Sequence, residues 1–320
     1  MIDKILLKIE ESKNILIVSH KNPDGDTLGA GLGLAISLLL QNKNVVAYCA
    51  SKIPFEYEFL LKDKINFFNS IEDIDKLLFQ LAIFVDCADE RRTSHFDKIS
   101  EISEFIINID HHKTNTGFGD INLVEPMASS TGEIIFKLLD RGKLPINRDV
   151  AECLYTALLT DTGSFRYSNT TGDTFATASA LLNYGINTWE IAEKVYENKP
   201  LKRIYIMKEA LDSLIISKNK KVAVMLLKND VLRKYNASSE DTDGIVNIGR
   251  SIAGVEFSIF IREENNGCKI SFRSKGNIDV AKFAQKLGGG GHKNAAGAFL
   301  KKPLNIAMEK ITKLIGEYGL

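Results

Sequence analysis

The chain has 320 residues, with 41 Lys and Arg balanced by 41 Asp and Glu and a hydrophobic content of 44%. That length favours two domains, and zero net charge argues against a sequence-independent grip on long duplex nucleic acid, which needs a broad basic excess. The four cysteines include no CxxC pair, no apolar run is long enough to span a bilayer, and the amphipathic N-terminus lacks the apolar centre of a signal peptide, so a soluble, cytoplasmic protein with reduced thiols is expected.

The first half alternates strand and helix signals. Residues 15–18 form a short apolar strand, 27–41 a helix, 45–48 a strand, and 55–61 and 71–78 two helical stretches. Residues 81–85 are a strand ending at Asp86, and 105–109 a strand ending at Asp110. Strands this continuously apolar imply a parallel sheet covered on both faces. From residue 129 to 198 the pattern turns helical, over 132–139, 148–159, 173–184 and 188–197. Lys199-Pro200 interrupts it. The expected layout is a catalytic domain over 1–198, a linker over 199–207 and a smaller domain over 208–320. In the latter, 210–216 continues as helix, 222–227, 255–261 and 268–272 read as strands, and 278–287 and 304–315 as helices. The fold class is α/β: a parallel-sheet domain with a helical second half, followed by a smaller α+β domain.

Four of the five histidines, His20, His111, His112 and His292, lie in dense polar motifs. His20-Lys21-Asn22-Pro23-Asp24-Gly25-Asp26 follows the first strand, Asp86 ends another, and Asp110-His111-His112 ends a third, so all three share one rim of the sheet. Asp161, after the apolar helix 148–159, must be carried to that rim by its helix. Ligands bind such sheets beyond the carboxyl ends of the strands. Taken singly, Asn-Pro-Asp-Gly is an ordinary turn and Asp86 an ordinary helix cap; four such motifs on one rim suggest a site. His20, Asp24, Asp26, Asp86, His111 and Asp161 supply four carboxylates and two imidazoles with no thiolate. That is too many donors for one tetrahedral zinc and suits Mn²⁺, Co²⁺ or Mg²⁺. With Asp86 as a bridge they divide into a pair of metals, which about 3.5–4 Å apart can hold both ends of a phosphoryl displacement.

Near the C-terminus, the run Gly288 to Gly291 followed by His292-Lys293-Asn294 leaves a bare backbone whose N–H groups can approach phosphate oxygens. Arg273-Ser274, at the end of a strand, could grip phosphate through the planar guanidinium.

These motifs resemble, in order, those of the DHH phosphoesterase superfamily, and the C-terminal part resembles the first type of DHH-associated domain, marked by Gly-Gly-Gly-His and a preceding Arg-Ser. The similarity is greatest to stand-alone nanoRNases that are also pAp phosphatases. It implies one Mn²⁺ held by His20, Asp24 and Asp86 and a second by Asp26, Asp86, His111 and Asp161. It further implies His112 facing the scissile phosphate as electrophile or proton donor, Asp110 supporting it, and Arg273, Ser274, Gly289, Gly290, Gly291 and His292 binding the nucleotide, with the active site in a cleft between the domains. The implied substrates are dinucleotides, other very short RNA and pAp, with cyclic di-AMP or pApA as the alternative. An inorganic pyrophosphatase is disfavoured by the Gly288–His292 run, and a RecJ-like exonuclease by length. A non-catalytic scaffold would have lost a ligand, and all six are present. Ser129 to Glu133 also matches a family stretch whose hydroxyls could lie near the site, and Arg166 is a candidate phosphate contact. Oligomeric state, a homodimer included, is left open.

Overall fold

The computed structural model describes residues 1–276 and 278–317, without the side chain of His292. The chain divides into two compact units, Met1–Asn198 and Lys199–Leu320.

The first unit begins with α1 (Ile2–Glu11), β1 (Asn14–Ser19), α2 (Gly25–Leu40), β2 (Asn44–Tyr48), β3 (Asn66–Phe68) and β4 (Leu81–Val85). It continues with α3 (Phe96–Glu101), β5 (Ile106–Asp110) and β6 (Ile121–Val124), then the helices α4 (Thr131–Gly142), α5 (Arg148–Asp161), α6 (Gly172–Leu182) and α7 (Thr188–Ala192). Among the described residues its sheet has the order β3-β2-β1-β4-β5-β6, parallel throughout. Alternate strand residues feed two cores. Ile15, Ile17, Ile83 and Val85 pack with α2, α4 and α5, while Leu16, Val18, Ala82 and Phe84 pack with Ile99 and Ile102 on the opposite face. Both faces are therefore dry, which is why the strands are apolar at every position.

The strand order reverses between β1 and β4, the switch point at which such sheets open a crevice. Ser19 pairs with Val85 and Val85 with Ile109, so the next residues, His20, Asp86 and Asp110, emerge side by side. Asp161 arrives by helix packing. A Cβ on Gly29 would lie 2.4 Å from the Cys153 carbonyl oxygen; only glycine lets α2 approach α5 this closely, and that approach sets the end of α5 beside the start of α2.

The second unit contains α8 (Leu201–Asp212), β7 (Ile215–Ile216), β8 (Val222–Leu227), α9 (Asn229–Lys234), α10 (Ile245–Ser251), β9 (Phe257–Glu264), β10 (Gly267–Ser274), α11 (Val280–Lys286), β11 (Gly290–His292), β12 (Ala295–Leu300) and α12 (Leu304–Glu317). Its sheet runs β11-β12-β10-β9-β8-β7, antiparallel except where β8 meets β9. One face packs on α11 and α12, the other on α8 and α10.

Several expectations are corrected. The linker 199–207 is largely the start of α8, because Pro200 stands at its N-cap, where a missing N–H disrupts nothing. That helix stops at Asp212, and Ile215–Ile216 is an edge strand, not helix. Residues 71–78 hold only the 3₁₀ turn Ile71–Asp73, which suffices to bury Ile71 and Ile74, and 55–61 is a 3₁₀ turn over Phe55–Leu60. Within the glycine run, Gly290–His292 pairs with Ala295–Gly297. No helix among the described residues is long and apolar enough to cross a membrane.

Candidate active site

At the switch point, Asp24 caps α2: its Oδ1 accepts the Asp26 and Thr27 N–H groups at 3.1 Å each. Thr27 Oγ1 donates to the Val85 carbonyl at 3.0 Å, tying the start of α2 to the end of β4. His20 Nδ1 lies 2.9 Å from the Lys21 carbonyl and donates to it, so Nε2 is the ring atom turned to the carboxylates. Nε2 is 3.8 Å from Asp24 Oδ1 and 3.3 Å from Asp86 Oδ2, and it is buried without an aligned hydrogen-bond partner among the described residues.

Asp86 occupies the left-handed region at φ 60, a conformation that costs a non-glycine residue about 1–3 kcal/mol and concentrates at functional sites. The twist directs Oδ2 toward His20 and Oδ1 toward His111 Nε2 (3.6 Å) and His112 Nδ1 (3.4 Å). Asp26 is anchored at the N-terminus of α4, accepting from Thr131 N at 2.7 Å and Gly132 N at 2.9 Å, an arrangement that favours an anion. His111 Nε2 is 3.7 Å from both Asp26 Oδ2 and Asp161 Oδ2. Three groups of donors thus converge, each with its atoms within 4.8 Å of one another: His20–Asp24–Asp86, Asp26–His111–Asp161 and Asp86–His111–His112. Asp86 belongs to two of them.

Asp110 is fully buried. Its Oδ1 accepts from His111 N at 2.8 Å and from His112 Nδ1 at 2.7 Å, and its Oδ2 from Asn115 Nδ2 at 2.6 Å.

The electrostatics fit a cation site. Burial, then the neighbouring charges of Asp86, Asp161 and Asp24, push Asp26 well above the usual carboxylate range. Burial, opposed by His111 and reinforced by Asp86 and Asp24, raises Asp161 to about 7. Burial also works against ionised Asp86, yet the rings of His20, His112 and His111 hold it at about 2. His112 is raised: burial opposes its charge, but the Asp110 hydrogen bond and the Asp86 and Asp110 charges prevail. Carboxylates that repel one another into protonation, beside a buried imidazole nitrogen turned toward two of them, form a donor set that a divalent cation satisfies.

In the second unit, Arg273 on β10 lies opposite Ala295 of β12, and its guanidinium donates to the Phe272 carbonyl at 3.0 Å. Ser274 is buried and its hydroxyl donates to the Ile278 carbonyl at 2.7 Å, so it shapes the turn. A Cβ on Gly289 would lie 2.1 Å from the Gly297 carbonyl oxygen, whereas Gly290 faces open space and Gly291 closes on Ala296. The backbone of His292 ends β11, and its side chain lies outside the described residues. Arg166 Nε donates to the Gly163 carbonyl at 2.6 Å, holding its own turn. The sequence did not single out Asn115, which donates to Asp110, or Asn169, which donates to Ser129 and Asp161; Thr131 was flagged through its motif.

The sequence model of the DHH family, N-terminal domain, matches residues 14–158, and that of the DHHA1 domain matches residues 219–318. The chain is 32% identical over 304 residues to the bifunctional oligoribonuclease and PAP phosphatase NrnA of Thermus thermophilus, covering 95% of this chain and 89% of that protein. The chain therefore belongs to the DHH family, as a phosphoesterase and hence a hydrolase. An exopolyphosphatase-related protein from Bacteroides fragilis, 31% identical, shares its structure at a TM-score of 0.94, covering 99% of this chain and 96% of that one. The cyclic-di-AMP phosphodiesterase GdpP of Bacillus subtilis is 28% identical over 97% of this chain, which spans 48% of that longer protein.

Proposed function

We propose that this phosphoesterase uses two divalent cations, Mn²⁺ foremost, to hydrolyse short oligoribonucleotides to mononucleotides and pAp to AMP. The observation that carries the reading is Asp86, whose two oxygens face different donor groups from one strained position. His20, Asp24 and Asp86 would hold one cation, and Asp26, Asp86, His111 and Asp161 the other. When bound, the cations supply charge neutralisation at the phosphoryl group and an acidified water.

The chain's own residues do the rest. Asp110 fixes the His112 ring through Nδ1 and keeps it protonated, so His112 can donate a proton from Nε2 to the leaving oxygen. Arg273 and the outer edge of β11, with Gly289, Gly290, Gly291 and His292, bind substrate phosphate and sugar, while Ser274 maintains the turn beside Arg273. The first unit carries the chemistry and the second the substrate grip. Its setting is the cytoplasm, in keeping with four cysteines that are all buried and free.

The substrate reading is supported by the NrnA relative, matched along nearly its whole length. The GdpP relative supports a second reading, hydrolysis of cyclic di-AMP or pApA. Parallel rate measurements with Mn²⁺ on a dinucleotide, pAp, pApA and cyclic di-AMP separate the two. The first reading expects the dinucleotide and pAp to turn over fastest; absence of product from both would refute it.

A further inference from the structure

We propose that Asn169 is a positioning residue for Asp161, held in place by Glu133 through Ser129. The inference rests on reading Asp161 as a cation ligand. Asp161 is the odd member of its group. It ends a helix, not a strand, and its side chain is 32% exposed where those of Asp26 and Asp86 are 2% and 3% exposed. Nothing in the sheet directs it, and the nearby carboxylates repel it.

Asn169 supplies the missing constraint. Its Nδ2 lies 2.8 Å from the Ser129 carbonyl, 3.2 Å from the Asp161 carbonyl and 3.3 Å from Asp161 Oδ2. All three are acceptors, so the amide nitrogen, not the oxygen, must face them. The amide holds Asp161 at both backbone and side chain and ties it to the turn before α4.

That turn is itself anchored. Glu133 Oε2 accepts from Ser129 N at 3.1 Å, Ser129 Oγ at 2.7 Å and Thr174 Oγ1 at 3.3 Å, while Glu133 Oε1 accepts from Lys137 Nζ at 2.8 Å. Ser129 and Glu133 are buried. Two residues on, the same turn binds Asp26 through Thr131 N and Gly132 N, and Asp86 through Thr131 Oγ1 at 3.1 Å. One turn therefore sets three carboxylates: two directly, and Asp161 through Asn169. Outer partners of this kind orient ligands and tune affinity.

The test is Mn²⁺ titration calorimetry on the full chain, with Asn169→Ala, the near-isosteric Asn169→Asp, and Ser168→Ala as the control on the same exposed loop. Asn169→Ala is expected to weaken one Mn²⁺ equivalent about 10- to 100-fold and leave the other unchanged. The metal-free variant should keep the wild-type circular dichroism spectrum, and excess Mn²⁺ should restore kcat at unaltered substrate KM. Asn169→Asp, which replaces a donor by a repelling acceptor, should weaken binding at least as much and keeps the test valid should the alanine variant not fold. Wild-type affinity in the folded Asn169 variants would overturn the inference while leaving the metal reading intact. A wild-type chain that binds no divalent cation would overturn both.

Discussion

Asp110 makes three hydrogen bonds with two oxygens while fully buried, and one of them sets the protonation of His112. Because the His112 pKa is raised, its acid form persists to higher pH than that of a free imidazole. Asp110→Asn removes the carboxylate that bonds the ring, leaving only the Asp86 charge to raise it, so the pKa falls and the alkaline limb of the kcat–pH profile should move to lower pH. His112→Ala should lower kcat by about 10²–10⁴-fold, the usual contribution of a general acid, and flatten that limb. An unmoved limb in Asp110→Asn would remove His112 from the proton-donor role. At this scale the site was legible where chemistry sits in short motifs directly after apolar strands: His20 to Asp26, Asp86, and Asp110 to His112. Asn115 and Asn169 were not legible. Each is an ordinary loop residue until the fold brings it to Asp110 or to Ser129 and Asp161.

The packing of α2 on α5 is the element that completes the site. Gly29→Val would push a branched side chain against the Cys153 carbonyl, with an overpacking cost of about 1–3 kcal/mol or more. A lower urea midpoint together with weaker Mn²⁺ binding is expected, because Asp161 moves with α5. Gly172→Ala, with nothing within 4 Å of the new Cβ, should leave metal binding unchanged and gain about 0.4–1 kcal/mol in the same measurement. The long buried elements β1, α2, β4, β5 and α5 were readable because period and apolarity agree. The short ones were not: β3 has three residues and β6 four, and α3 covers the sheet with only six. The pairing of the glycine run with β12 was not readable either, because bare glycines carry no strand signal, yet Gly289 and Gly291 are pressed against β12.

Over the whole molecule there are two units, each with its own core, and the proposed function assigns cation chemistry to the first and substrate grip to the second. Cation binding should stabilise the first unit by linkage, about 2.7 kcal/mol at a hundredfold excess over Kd. Hydrogen exchange in β1, β4, β5 and the end of α5 should slow on adding Mn²⁺ and recover with chelator. Arg273→Ala should raise the dinucleotide KM with little change in kcat; a fall in kcat at constant KM would contradict the grip assigned to the second unit. If Asp86 joins two cation sites, the electron paramagnetic resonance spectrum of the chain loaded with Mn²⁺ reports it. Two Mn²⁺ per chain with an exchange-coupled spectrum that Asp86→Asn abolishes is the expected result. A single Mn²⁺, or two that remain magnetically independent in the wild type, would contradict it.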